Sequence, residues 1–271
     1  MSATAISIPL TRQRRGASRV IGAVRDTYAV AIRNLIQYKR VPQLLVFSTI
    51  QPVIFVLMFR YVFGGAIHVP GTSYVDYLMP GIFVQTVVFG SMAAAVGLAT
   101  DVKSGLLERF RSLPMSRAAV LAGRTLADLV RNVFVVALML GVGYLVGFRI
   151  HGGIPAFLFA LVLVLLFGYT MSWVFATVGL AVGDPETAQA AAFPVLAPLV
   201  FASSAFVAVS SMPGWLQGFA RNQPVSATAT AVRDLVLGQP AAHDVFTAML
   251  WLIGILALFA PFAVRLYRRA V

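Results

Sequence analysis

The 271-residue chain contains no cysteine. Disulfides, thiolate nucleophiles and thiolate-ligated metal or iron–sulfur centres are therefore excluded. Acidic residues are scarce, 9 against 21 Lys and Arg. Asp76, Asp101, Asp184 and Asp244 all fall at the edges of apolar stretches or between them. Carriers driven by protons or sodium usually bury a carboxylate at the bilayer midplane, and this chain has none at the centre of a stretch. It also has no G-x-x-x-x-G-K-[ST], and neither lysine, Lys39 nor Lys103, follows a glycine. A phosphate-cradling loop for a nucleotide is thus missing. His68, His151 and His243 lie apart in connecting segments, without metal-ligand spacing. Ser203 and Ser204 have no accompanying base in any apolar stretch.

The chain is instead 59% hydrophobic and only 11% charged, with a mean hydropathy of +0.87. Six apolar cores lie near 44–63, 78–99, 126–148, 155–182, 192–209 and 245–264. Each approaches the roughly 20 residues that a helix needs to cross a hydrocarbon layer about 30 Å thick. None alternates polar and apolar residues as barrel strands do, so internal hydrogen bonding requires helices. The expected fold is an all-α integral membrane protein with six transmembrane helices. The first core begins behind a charged stretch of more than forty residues, so no cleavable signal peptide is expected.

Basic residues set the expected orientation. Arg12, Arg14, Arg15, Arg19, Arg25, Arg33, Lys39 and Arg40 precede the first core. Lys103, Arg109, Arg111, Arg117 and Arg124 sit between the second and third, and Arg265, Arg268 and Arg269 follow the last. The alternate connections carry only Arg60, Arg149, Arg221 and Arg233. With Arg131 placed just inside the third span, the positive-inside rule puts both termini and the second–third connection in the cytoplasm of a cell-membrane protein. The net charge of +12 then belongs to headgroups and topology rather than to nucleic acid.

Residues 1–18 read as a basic disordered tail. From 19 to 41, Val20, Ile21, Val24, Tyr28, Ala31, Ile32, Leu35 and Ile36 recur at helical spacing. Arg25 and Arg33 lie off that stripe, as in a helix along the cytoplasmic interface. The segment is either a surface anchor or an elbow that also touches a cytoplasmic partner. Pro42 ends it, and 42–271 form the six-span domain. Between the second and third spans, Leu106, Leu107, Phe110 and Leu113 share one side of a short helix, with Glu108 and Arg111 on another and Arg109 between. Gly105 and Pro114 bracket this knob, which either rests on the bilayer or docks into a groove of a cytoplasmic protein. Arg124, Asp128 and Arg131 are spaced to neutralise one another at the start of the third span. Pro52, Pro194, Pro198 and Pro261 fall within apolar cores, where each removes a backbone bond.

The stretch 210–239 is too apolar for a solvated loop. Trp215 and Phe219 fit an interfacial aromatic belt, and Arg233 lies on a second helical stretch that ends at Gly238. The expectation is a re-entrant helical hairpin before the last span, acting either as an outer gate containing Trp215, Phe219 and Arg233 or as a cap.

Arg40-Val-Pro42, Gln51-Pro52, Tyr77-Leu-Met-Pro-Gly81, Leu113-Pro114, Gly123-Arg124 with Asp128, Met212-Pro-Gly-Trp-Leu-Gln217, Asn222-Gln-Pro224 and Arg233-Asp-Leu235 occur in order around the six spans. In that combination, over about 28–268, the chain resembles ABC type-2 permeases, most closely the membrane subunits of daunorubicin-resistance-type exporters. The resemblance implies two permeases, this chain with a second copy or a related one, paired with two cytoplasmic ATPase subunits. ATP and Mg would be bound by the ATPases and no cofactor by this chain. It makes 106–113 the coupling helix and 20–36 the interfacial helix, with export of a hydrophobic or amphipathic compound as the function. Export of a glycolipid or polysaccharide, or an ATPase-independent carrier, are the alternatives.

Overall fold

The computed structural model describes residues 16–40, 43–65, 67, 69, 71–106 and 117–270. Among them there is no strand. The first helix, α1, is Gly16–Arg40, and α2 is Gln43–Leu57, continued by a π-helical turn over Met58–Phe63. Then come α3, Tyr74–Lys103; α4, Arg117–Leu145; α5, Gly153–Val182; and α6, Pro185–Phe201. Two shorter helices, α7 Gly214–Arg221 and α8 Pro224–Leu237, precede α9, Ala242–Ala270.

Helices α3, α4, α5 and α9 contain stretches long and apolar enough to cross a membrane. Helix α2 is apolar but shorter. Helix α6, 17 residues long, ends at Phe201, well before the limit of 209 expected from hydropathy. The reason is local. Pro194 and Pro198 have already removed two backbone donors from α6, and beyond Phe201 the chain turns through 202–208. Ser203 and Ser204 therefore sit in a buried turn, not in a helix.

Helix α3 is the axle. It packs against α2, α4, α5, α6 and α8, and 67% of its apolar window is buried against 11% for α9. Its start is fixed by Ser73, whose hydroxyl donates to Asp76 Oδ2 at 2.7 Å and accepts from the Asp76 N–H at 3.1 Å. Asp76 Oδ1 in turn accepts from the Arg149 N–H at 2.8 Å, tying the α4–α5 connection to the axle. The core along it includes Leu78, Ile82, Phe83, Val87, Phe167 and Phe175. Most of α9 faces outward with Phe246, Leu250, Ile253 and Leu258, a surface that only an apolar solvent stabilises.

Candidate coupling junction and transport elements

At the α1 end of the bundle, ionic contacts converge on the last turn of α3. Asp101 Oδ2 accepts from Arg124 Nη1 of α4 at 2.6 Å, and Arg33 Nη2 of α1 stands 3.6 Å from Asp101 Oδ1. Asp101 and Arg124 are both largely shielded from solvent, which strengthens their pair. Two residues on, Lys103 Nζ donates to Asp184 Oδ1 at 2.7 Å. Asp184 is also the cap of α6, accepting from the Thr187 N–H at 3.0 Å. The Lys103 ammonium, and next the Thr187 bonds, hold the Asp184 carboxyl down at about 2. That exposed pair is consequently ionic at any physiological pH. The end of α3 thus holds α1, α4 and α6 together immediately before 104–116.

Helix α1 lies close on α4 because Gly123 has no side chain. A Cβ there would stand 2.6 Å from the Thr27 carbonyl oxygen and 2.7 Å from Val30 Cβ. Val30, Ala31 and Asn34 are buried, while Val24, Tyr28, Ile32 and Ile36 form an exposed apolar ridge at four-residue spacing, with Arg25 exposed beside it. The apolar stripe read from the sequence therefore serves two surfaces, Ala31 towards protein and the ridge outward. Arg33 joins the junction, whereas Arg25 and Tyr28 stay outside it. Of the expected coupling residues, Leu106 is helical and half-buried. Leu107, Glu108, Arg109, Phe110, Arg111 and Leu113 lie outside the described residues. Arg124 reaches across to Asp101 on α3, a long-range contact that i, i+4 spacing did not disclose.

At the other end, the turn 202–208 is non-helical and buried at 203–206, and side chains satisfy its backbone. Gln223 Nε2 donates to the carbonyls of Leu199 at 2.8 Å and Ala202 at 3.3 Å. The Ser204 N–H donates to Ser226 Oγ at 2.9 Å. Arg233 Nη2 donates to the Ser204 carbonyl at 2.7 Å and its Nε to the Tyr77 carbonyl at 3.0 Å, with the guanidinium 3.7 Å from the Tyr77 ring centroid. Tyr77 and Tyr74 donate from their hydroxyls to Ser204 and Phe206 carbonyls, each at 3.2 Å. Gly81 gives the turn room: a Cβ on it would collide with the Ala205 carbonyl. Non-helical backbone at membrane depth needs such cover.

Trp215, 81% exposed, and Phe219 lie on the open face of α7. Arg233 is buried at the α3–α8 contact. The three residues expected to form one outer gate are therefore split between a surface and a core. Beside the turn, Phe55 of α2 and Phe59 of the π-helical turn stack with Phe206, at ring separations of 5.8 and 4.6 Å. Phe201 stands 6.3 Å from Phe55.

A third cluster is polar and lies midway along the bundle, where counting carboxylates finds nothing. Gln85 and Thr86 of α3 and Arg131 and Asn132 of α4 are all buried. Arg131 stands fourteen residues from each end of α4, about 21 Å along the axis. An arginine at the centre of a membrane helix costs about 3 kcal/mol even on the mildest scale.

An architecture of apolar helices around a buried axle, with charged contacts gathered at one end, fits a transport subunit. Residues 25–237 match the family described as ABC-2 type transporter. The chain belongs to the ABC-2 type transporter family. It is 37% identical over 246 residues to the daunorubicin resistance ABC transporter permease protein DrrB1 of Streptomyces coeruleorubidus, spanning 91% of this chain and 87% of that protein. Identity to the probable doxorubicin resistance ABC transporter permease protein DrrC of Mycobacterium tuberculosis is 31% over 226 residues, 82% of this chain and 81% of the relative. A putative transport permease of Cyanophora paradoxa, ycf38, is 27% identical over 221 residues, 78% and 74% of the two chains. This ABC-2 protein is thus a membrane permease subunit of an ABC exporter, not an enzyme.

Proposed function

We propose that this permease exports a hydrophobic or amphipathic, drug-like compound from the cytoplasm or inner leaflet. Hydrolysis of ATP by separate cytoplasmic subunits, which bind ATP and Mg, drives the transport. The similarity across 91% of the chain to a daunorubicin resistance permease is the observation that carries the reading. The chain crosses the cell membrane six times with both termini in the cytoplasm. Helices α2 and α6 supply the two spans that are short as helices, the first extended by its π-helical turn and the second by the turn 202–208. Helices α7 and α8 are the re-entrant hairpin on the outer side.

Mechanically, the ATPases dock on 106–113. Motion of that segment reaches the bundle through Asp101, whose partners Arg33 and Arg124 compel α1 and α4 to move with the end of α3. A second permease, identical or related, completes the path. The test is co-purification of the chain with its ATPase subunit, followed by ATP hydrolysis in lipid with and without doxorubicin. A stable complex stimulated by drug is expected. Phe110→Asp, which puts a charge on the docking knob, is expected to abolish complex formation while membrane insertion persists. A wild-type permease that binds no ATPase would overturn the reading, and undiminished docking of Phe110→Asp would remove the assignment of 106–113.

A further inference from the structure

Between α2, α3 and α4 there is a cavity of about 110 Å³ whose wall includes Ser48, Gln51, Gln85, Thr86 and Arg131, with Phe89 among its apolar residues. Gln85 and Thr86 are 1% and 5% exposed, yet Gln85 Oε1 and Thr86 Oγ1 have no hydrogen-bond partner among the described residues. Asn132 Nδ2, next to Arg131, is a third such atom. Buried polar atoms in native proteins are overwhelmingly bonded, so an enclosed pair on one cavity wall marks a place where something else supplies the bonds. Arg131 is held at the same wall: its Nη2 donates to the Gly90 carbonyl and, at 3.2 Å, to Asn132 Oδ1. Position 90 must be glycine for that approach, because a Cβ there would stand 2.7 Å from both Arg131 Nη2 and Asn132 Oδ1.

We infer that this cavity binds the oxygen-bearing polar end of the transported amphipath, a hydroxyl or an adjacent hydroxyl–carbonyl pair. The chemistry follows from the wall. Gln85 Oε1 needs a donor, Thr86 Oγ1 serves as either donor or acceptor, and Arg131 offers a cation. A hydroxyl meets all three demands, whereas an ammonium group would face the Arg131 guanidinium. The volume sets a limit too. At about 30 Å³ per water, 110 Å³ admits a few heavy atoms and not a polycyclic ring system. The ligand therefore inserts one polar end, and its apolar body lies outside along the lipid-facing side of α2, where Ile50 and Ile54 are exposed. The assignment rests on the exporter reading and names the ligand chemistry that reading leaves open.

Because the chain has no cysteine, Thr86→Cys creates a single thiol in the wall. The permease is co-expressed with its ATPase subunit, and membranes are treated with a methanethiosulfonate reagent. Modification of this chain is read by mass, with drug-stimulated ATP hydrolysis measured alongside. Doxorubicin, rich in hydroxyl and carbonyl groups, is expected to slow modification at least tenfold. Tetraphenylphosphonium, a lipophilic cation with no hydrogen-bonding group, is expected to give no protection. Adding Gln85→Leu is expected to raise the doxorubicin concentration needed for protection about tenfold, the loss of one well-made hydrogen bond. If Thr86→Cys does not insert, Ser48→Cys reports from the α2 wall. An unreactive thiol, equal protection by the two compounds, or protection unchanged by Gln85→Leu would overturn the site. Stimulation of hydrolysis by doxorubicin without protection would do the same while leaving the exporter reading intact. Doxorubicin that neither protects nor stimulates would overturn both.

Discussion

Arg233 and Trp215 show how differently two residues of one outer segment can act. Arg233 spends its guanidinium on two main-chain carbonyls and a tyrosine ring, so its truncation leaves buried acceptors without donors. Arg233→Leu should destabilise the permease by about 3 kcal/mol, read as a fall in the midpoint of thermal unfolding in detergent. Arg233→Lys should recover only part, since an ammonium does not reproduce the fork that reaches both Tyr77 and Ser204. Trp215 is exposed, so Trp215→Ala should leave that midpoint nearly unchanged and reduce export instead; normal export would make α7 a cap rather than a gate. Asp101 is a third case. Asp101→Asn keeps the shape but removes the charge shared by Arg33 and Arg124, and drug-stimulated ATP hydrolysis should fall about tenfold with membrane insertion preserved.

Among the elements, α1 depends on a close approach to α4. Gly123→Val would push α1 from α4, because even the first added carbon meets the Thr27 backbone at 2.6 Å. The expected result is an assembled but uncoupled permease, checked by spin-label distances between α1 and α4, which should lengthen by at least 1 Å. At the other end, Asp234 of α8 sits half-buried beside Asp244 of α9. Burial first, then repulsion from and hydrogen bonding with Asp244, push its carboxyl up to about 6, against a smaller opposing pull from Arg233. The folded state therefore prefers protonated Asp234. Its contribution is fully present below the ordinary carboxylate range, near 4, and is lost as pH rises through about 6. Thermal midpoints should drop between pH 5 and pH 7 for the wild type, and Asp234→Asn should flatten that dependence.

For the whole molecule, the helical class, the long apolar helices and the helix over most of 19–41 were legible because each rests on local pattern. An apolar run of bilayer length, or apolar residues at four-residue spacing, means the same thing wherever it occurs. The family was legible from ordered short motifs. Two boundaries were not. Hydropathy carried the fifth apolar stretch through Ser203 and Ser204 because a buried turn is as apolar as a helix. Arg131 lies five residues into its apolar core, whereas α4 begins at Arg117 and has it at the middle of the helix.

Composition and periodicity thus settled what kind of solvent the chain needs and which segments are helical, since each is a property of a few neighbouring residues. Pairings over long separations depended on packing. Asp101 meets Arg124 on another helix, Arg233 meets Tyr77 156 positions away, and Gln85 opens onto the same cavity as Arg131. No spacing rule encodes such contacts. They arise because α3 is buried along most of its length, which brings polar groups from several other helices to one axis, where each must find a partner or hold a place for one.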